Sequence, residues 1–204
     1  MKEFWNERYG AEAFAYGREA NVFFAEELLK IKAGKLLLAA EGEGRNAVFA
    51  AAHGWDVLAF DSSSEAKKKA EKLALDKGVK IEYQLAELSE MKLPESHFDV
   101  IGLIYAHFPA EIKSNYHKIL NRSLKKGGYI LFEAFSKKQL AFNEINENPM
   151  GPQNLEMLFS IEEIKNDFPN YEILILKEEE INLSEGLYHE GIASVIRFVG
   201  RKNG

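Results

Sequence analysis

From Lys35 to Ala40 the chain is a short apolar run that breaks at once into Glu41-Gly42-Glu43-Gly44, and an Ala/Val/Phe-rich helical pattern follows from Arg45 to His53. A strand, a glycine loop and a helix in that order form one unit of a parallel sheet, because parallel neighbours need a crossover and the helix supplies it. The cycle repeats. After Gly54 the run Trp55 to Phe60 ends in Asp61 and three serines, which suits a strand meeting a helix N-cap, and the charged stretch Glu65 to Lys77 is that helix, stopped by Gly78. Further apolar runs at Val79–Leu85, Phe98–Ile104 and Tyr129–Phe135 are separated by a turn-rich connection and by a helix around Ala110–Leu124. Strands alternating with helices predict an α/β fold with helices on both faces of a mostly parallel sheet. Ile161–Asp167 reads as a last helix. The long runs Tyr171–Ile181 and Ile192–Val199 have no helix between them and predict an antiparallel edge pair, with the last strand antiparallel.

At 204 residues the chain suits one domain, residues 1–204, able to bury a core without metals or disulfides. The absence of cysteine excludes a disulfide framework, a thiolate zinc site and a cysteine nucleophile, and fits a cytoplasmic location. No stretch approaches the ~20 apolar residues of a membrane span, and the first ten residues lack a signal-peptide core, so no membrane partner is expected. A net charge of −6 repels a phosphate backbone, which argues against nucleic acid. The histidines at 53, 97, 107, 117 and 189 show no metal-ligand spacing, so no metal is expected. The Asn-, Glu- and Pro-containing stretch 142–153 reads as an active-site loop rather than a domain boundary.

In the loop after the first strand, Gly42 and Gly44 stand where backbone must come close to a ligand without a Cβ in the way; a plain tight turn is the competing explanation. A dinucleotide site would want a third glycine two or three residues on, where this chain has Asn46 or Ala47. Glu41 and Glu43 would repel phosphate but attract an ammonium and a sulfonium. Asp61, at the end of the second strand, can accept both ribose hydroxyls of a nucleoside. It can also cap the next helix, although Ser62, Ser63 and Ser64 can do so without it. The third strand ends near Leu85-Ala86-Glu87-Leu88, which brings Glu87 to the same edge of the sheet, either against an adenine amino group or as a solvated loop glutamate.

These residues carry a family resemblance. The opening Phe4-Trp5-Asn6-Glu7-Arg8-Tyr9 with Phe14-Ala15-Tyr16-Gly17, the loop Ala40 to Ala47, the strand end Asp61-Ser62-Ser63, the segment Leu124 to Ile130 and the late Glu185-Gly186-Leu187-Tyr188-His189 are similar to the class I methyltransferases of the tellurite-resistance type, relatives of the thiopurine methyltransferases. The resemblance implies a Rossmann-like three-layer sandwich with a seven-stranded sheet. It also implies S-adenosylmethionine as cofactor at the carboxyl ends of the first four strands, contacted by Glu41, Gly42, Gly44, Asp61, Ser62, Ala86, Glu87, Leu88 and Tyr105. Trp5, Tyr9 and Tyr16, in a helical N-terminal segment 1–33, can lid the cofactor, since aromatic faces attract a sulfonium; Trp5 and Tyr9 lie four apart, so helix-face packing is the alternative. One departure stands out: the acidic residue common near the end of the first strand is here Leu38, which leaves Glu41 as the nearest loop carboxylate for the methionine ammonium.

Methyl transfer from a sulfonium is an in-line displacement, so the protein mainly aligns nucleophile and methyl in a dry site. A thiol, a metalloid oxyanion or another soft nucleophile needs little help, whereas an oxygen or amine acceptor would want a base. His107, just past the fourth strand, and His189, between the last two, are the candidate catalytic residues; a backbone-bonded histidine and a hairpin-turn histidine are the alternatives. The expected partner is a small-molecule substrate, and the protein itself is expected to be a monomer or homodimer. The competing functions are an NAD-dependent oxidoreductase on the same kind of sheet and a non-catalytic S-adenosylmethionine-binding protein.

Overall fold

The computed structural model describes residues 2–146 and 148–204; Met1, and Glu147 within the 142–153 stretch, lie outside the described residues. Helices α1 (Lys2–Gly10) and α2 (Val22–Leu28) precede β1 (Lys35–Ala39). The chain then alternates through α3 (Arg45–Ala52), β2 (Asp56–Asp61), α4 (Ser64–Asp76), β3 (Glu82–Leu85), β4 (Phe98–Ile104), α5 (Lys113–Ser123) and β5 (Leu124–Phe135). Helices α6 (Gln139–Asn143) and α7 (Ile161–Asp167) lead into the hairpin of β6 (Tyr171–Ser184) and β7 (Glu190–Lys202).

Among the described residues the strands form one seven-stranded sheet in the order β3-β2-β1-β4-β5-β7-β6. β1 through β5 are parallel, and β7 runs antiparallel to both β5 and β6. The predicted antiparallel pair is therefore present, with the later strand inserted between its partner and the parallel sheet. Alternation along β1 sends Leu37 and Ala39 to one face and Leu36 and Leu38 to the other, and each set joins a different core. One core gathers Phe60, Ile101, Phe132 and Phe198 with Leu120 of α5 and Ile164 of α7; the second gathers Val57, Ala59 and Val100 with Phe24 of α2 and Ala47 of α3.

β6 and β7 extend beyond the predicted Tyr171–Ile181 and Ile192–Val199, to Ser184 and over Glu190–Lys202, and two further strands start elsewhere than the sequence pattern placed them. β3 starts at Glu82 instead of Val79, because Val79 packs on Val48 and Leu73 beside the sheet. β5 starts at Leu124, ahead of Tyr129: Leu124 pairs with Phe98, the register slips, and Tyr129 pairs with Val100, so the Gly127-Gly128 corner is absorbed inside the strand. Among the described residues no helix is long and apolar enough to cross a membrane.

Candidate active site

The strand order reverses between β1 and β4, and in open α/β sheets ligands bind in the crevice that this reversal leaves at the carboxyl ends of the strands. A cavity of about 310 Å³ lies there. Ala40 and Tyr105, the residues that follow β1 and β4, both line it and both hold a left-handed backbone, with φ of 51° and 52°. Non-glycine residues seldom adopt this conformation, and such strain concentrates where a site over-determines the chain. Nothing in the residue types at 40 and 105 announces it.

Asp61 ends β2 on the cavity wall. Its Oδ2 accepts the Gly42 N–H at 3.0 Å and its Oδ1 the Ser63 N–H at 2.9 Å. The helix-capping role falls to Ser63, whose hydroxyl accepts from the Ala66 N–H of α4. Burial raises the Asp61 carboxyl, opposed by those backbone donors, and the remaining lone pairs are free for a ligand. Ser62, Ala86, Glu87 and Leu88 line the same wall, Glu87 exposed and opening a short 3₁₀ turn over Leu88–Glu90.

The glycine loop works differently from the sequence expectation. Neither Gly42 nor Gly44 is among the lining residues, and the structure gives both a use within the protein. A Cβ on Gly42 would meet the Tyr9 hydroxyl at 2.7 Å, and one on Gly44 the Ala70 Cβ at 2.5 Å, so the pair lets α1 and α4 press onto the loop. Glu43 is also turned inward, accepting from the Ala15 N–H at 2.8 Å and pairing with Lys69. Glu41 alone of the loop acids lines the cavity. Its Oε1 accepts the Ala47 N–H at 2.8 Å, which places a carboxylate on the N-terminus of α3 where a pyrophosphate would otherwise sit. Burial outweighs that hydrogen bond and nearby Arg45 and pushes the Glu41 carboxyl up to about 7. Leu38, by contrast, is buried in the core with Phe24 over Gly102 and is not among the residues that line the cavity.

The far wall is aromatic. Tyr105 stands 4.3 Å from His189 and 4.8 Å from Phe135, ring centroid to centroid, and Tyr16 lies 4.5 Å from His189. His107 holds Nδ1 3.1 Å from the Met157 carbonyl, and burial lowers its pKa to about 4. The neutral ring therefore donates Nδ1–H and leaves the Nε2 lone pair without a partner. Burial also lowers His189, opposed by Glu185. Burial would raise Glu185, but His189 and Arg45 outweigh it and hold it at about 2. The Arg45–Glu185 ion pair, 2.8 Å and nearly closed to solvent, ties the start of α3 to the β6–β7 hairpin, and Arg45 also donates to the Tyr16 carbonyl.

The N-terminal segment covers this crevice. Trp5, Tyr9 and Tyr16 line it, Trp5 stacks on Tyr9 at 5.4 Å, and Asn6 accepts from the Ser63 hydroxyl at 2.7 Å. Gly151 to Asn154, at and just beyond the end of the 142–153 stretch, complete the rim with Met157. Twelve of the fourteen candidate residues thus meet at one cavity. Sequence reasoning missed Arg8, Arg45, Asn46, Phe108, Phe135 and Met157. Arg8 had a signal, lying three residues after Trp5 on the same helix face, and Arg45, Asn46 and Phe108 adjoin the predicted loop and His107 in sequence, whereas Phe135 and Met157 arrive through tertiary packing alone.

The seven-stranded sheet has a Rossmann-like fold of the kind found in S-adenosylmethionine-dependent methyltransferases. Residues 37–128, from β1 into β5, match the family described as the methyltransferase domain. No curated protein sequence matches the chain. Among solved structures, the chain is similar to a protein from work on the conversion of a disulfide bond into a thioacetal group during echinomycin biosynthesis, with a TM-score of 0.73, 18% identity, and coverage of 100% of this chain and 92% of that one. It is similar also to TehB from Haemophilus influenzae (TM-score 0.70, 18% identity, 99% and 67% covered) and to an S-adenosylmethionine-dependent methyltransferase from Methanosarcina mazei (0.67, 19%, 91% and 99%). At these identities the likeness is one of fold. The domain match implies S-adenosylmethionine as the cofactor.

Proposed function

We propose that the protein is an S-adenosylmethionine-dependent methyltransferase acting on a small-molecule acceptor. The observation that carries this reading is Asp61, a buried carboxylate with spare lone pairs at the end of β2, beside the point where the strand order reverses. Bound there, the cofactor supplies a methyl group activated by its sulfonium. In this reading Asp61 holds the ribose hydroxyls, Glu87 faces the adenine edge, and Glu41 faces the methionine ammonium. Trp5, Tyr9 and Tyr16 act as the lid that keeps water out, and the Gly151–Asn154 rim completes the enclosure. The acceptor lies against His107, His189, Tyr105 and Phe135, and His107 Nε2 takes up its proton where it has one to lose. The resemblance to the tellurite-resistance and thiopurine methyltransferases favours a soft acceptor, a thiol or a metalloid oxyanion. The carboxylate of Glu41 on the α3 N-terminus disfavours NAD.

Thermal shift with S-adenosylmethionine, S-adenosylhomocysteine and NAD tests the cofactor: the first two should raise the melting temperature and NAD should leave it unchanged. Turnover to S-adenosylhomocysteine with an acceptor panel then distinguishes an enzyme from a binding protein. Glu41 gives a pH prediction. With its pKa at about 7, it is protonated below that pH and charged above it. Affinity for S-adenosylhomocysteine, which carries the ammonium, should therefore rise about three- to tenfold from pH 6 to pH 8. Glu41→Gln should flatten the rise, and 5′-methylthioadenosine, lacking the amino acid, should show none. Parallel profiles for both ligands in calorimetry would return Glu41 to a purely structural role.

A further inference from the structure

The carboxylates of the cavity, Glu41, Asp61 and Glu87, all sit on the β1–β3 side. A cation lines the cavity from α1. Arg8 is half-buried, and its guanidinium carbon lies 4.2 Å from the Tyr188 ring centre, 4.6 Å from Phe4 and 5.6 Å from Trp5. Nη1 donates to the Tyr16 hydroxyl at 3.1 Å. Among the described residues no carboxylate comes within 4.0 Å of Arg8, whereas Arg45, the other arginine of the cavity, is paired with Glu185. A guanidinium has five N–H donors in a planar fork matched to a carboxylate, and here the ring faces and Tyr16 fix that fork while leaving most of its donors unused.

We propose that Arg8 is a carboxylate-binding arm of the cavity, with the aromatic rings of Phe4, Trp5 and Tyr188 holding its guanidinium ready for an anionic ligand group. The carboxylate has two chemical sources, the amino-acid end of the cofactor or a carboxylate on the methyl acceptor; the first rests on the methyltransferase reading and the second does not. A bare packing role for Arg8 would need its alkyl stem and its ring contacts but not its charge.

The test uses the full chain and Arg8→Met, which keeps an unbranched apolar stem, with Arg8→Lys as the charge-retaining companion. Calorimetry compares S-adenosylhomocysteine with 5′-methylthioadenosine, which lacks the amino acid, and benzoate with benzamide, which differ only in the charged group. If the carboxylate belongs to the cofactor, Arg8→Met weakens S-adenosylhomocysteine about ten- to fiftyfold and 5′-methylthioadenosine by less than about twofold, and Arg8→Lys recovers part of the loss. If it belongs to the acceptor, the nucleosides are unaffected and the wild type's preference for benzoate over benzamide disappears in Arg8→Met. Equal weakening within each pair, or no weakening in either, overturns the proposal and makes Arg8 a packing residue of α1. Should the wild type bind neither nucleoside, the methyltransferase reading falls and the benzoate–benzamide pair alone decides on Arg8.

Discussion

Replacing Asp61 with alanine is expected to weaken S-adenosylhomocysteine binding by about 10- to 100-fold, the usual effect of losing charge-assisted hydrogen bonds to a ligand. The change removes acceptors for the Gly42 and Ser63 N–H groups as well as the ligand-facing lone pairs, so part of the loss passes through the loop. Asp61→Asn separates the two contributions. It keeps an oxygen that can accept one backbone N–H but loses the charge, and it should recover less than half of the lost binding energy. The fold should persist in both variants, because Ser63 caps α4 independently of Asp61. An unchanged dissociation constant in calorimetry would leave Asp61 as a turn-stabilising residue and would remove the observation on which the functional assignment stands.

The largest effect on stability is expected from Gly44→Val. The residue holds φ at +83°, where a β-branched side chain is strained by about 1–2 kcal/mol, and its Cβ would lie 2.5 Å from the Ala70 Cβ of α4. Adding overpacking of about 1–3 kcal/mol gives a loss of about 2–5 kcal/mol and a melting temperature lower by roughly 10 °C for a chain of this size. Gly54→Val is the control: its φ is +84°, but nothing lies within 4 Å of the point a Cβ would occupy, so only the conformational part remains. Equal destabilisation by the two substitutions in thermal melts would show that α4 does not press on the loop.

The contrast between these glycines marks where the sequence was legible. Strand, loop and helix followed from hydrophobic period and turn chemistry, and Phe98–Ile104 and Ile161–Asp167 stand where the pattern placed them. Asp61 was legible because a strand end points at one edge of the sheet. What the glycines face was not, since Gly42 meets Tyr9 from a helix over thirty residues upstream and Gly44 meets α4 from beyond β2. The sequence also could not show that Glu43 would be consumed by Ala15 and Lys69 while Glu41, two residues earlier, would look into the cavity. Alternate residues of a tight loop point in different directions, and only tertiary docking decides which direction is inward. The insertion of β7 between β5 and β6 escaped for the same reason: an antiparallel pair is written locally, but which of its members joins the parent sheet is not.

That insertion sets an order of events during synthesis on the ribosome. β6 is made before β7 yet waits for β7 to pair with, because among the described residues its one neighbour in the sheet is β7. While the chain is being made, β5 keeps an unpaired edge and Arg45 lacks Glu185, its anchor on the hairpin. The nascent chain therefore offers a bare strand edge, the kind of surface that chaperones shield and that aggregates template on. The cavity acquires its His189 wall only when the final strand threads into place, which couples completion of the pocket to completion of the sheet.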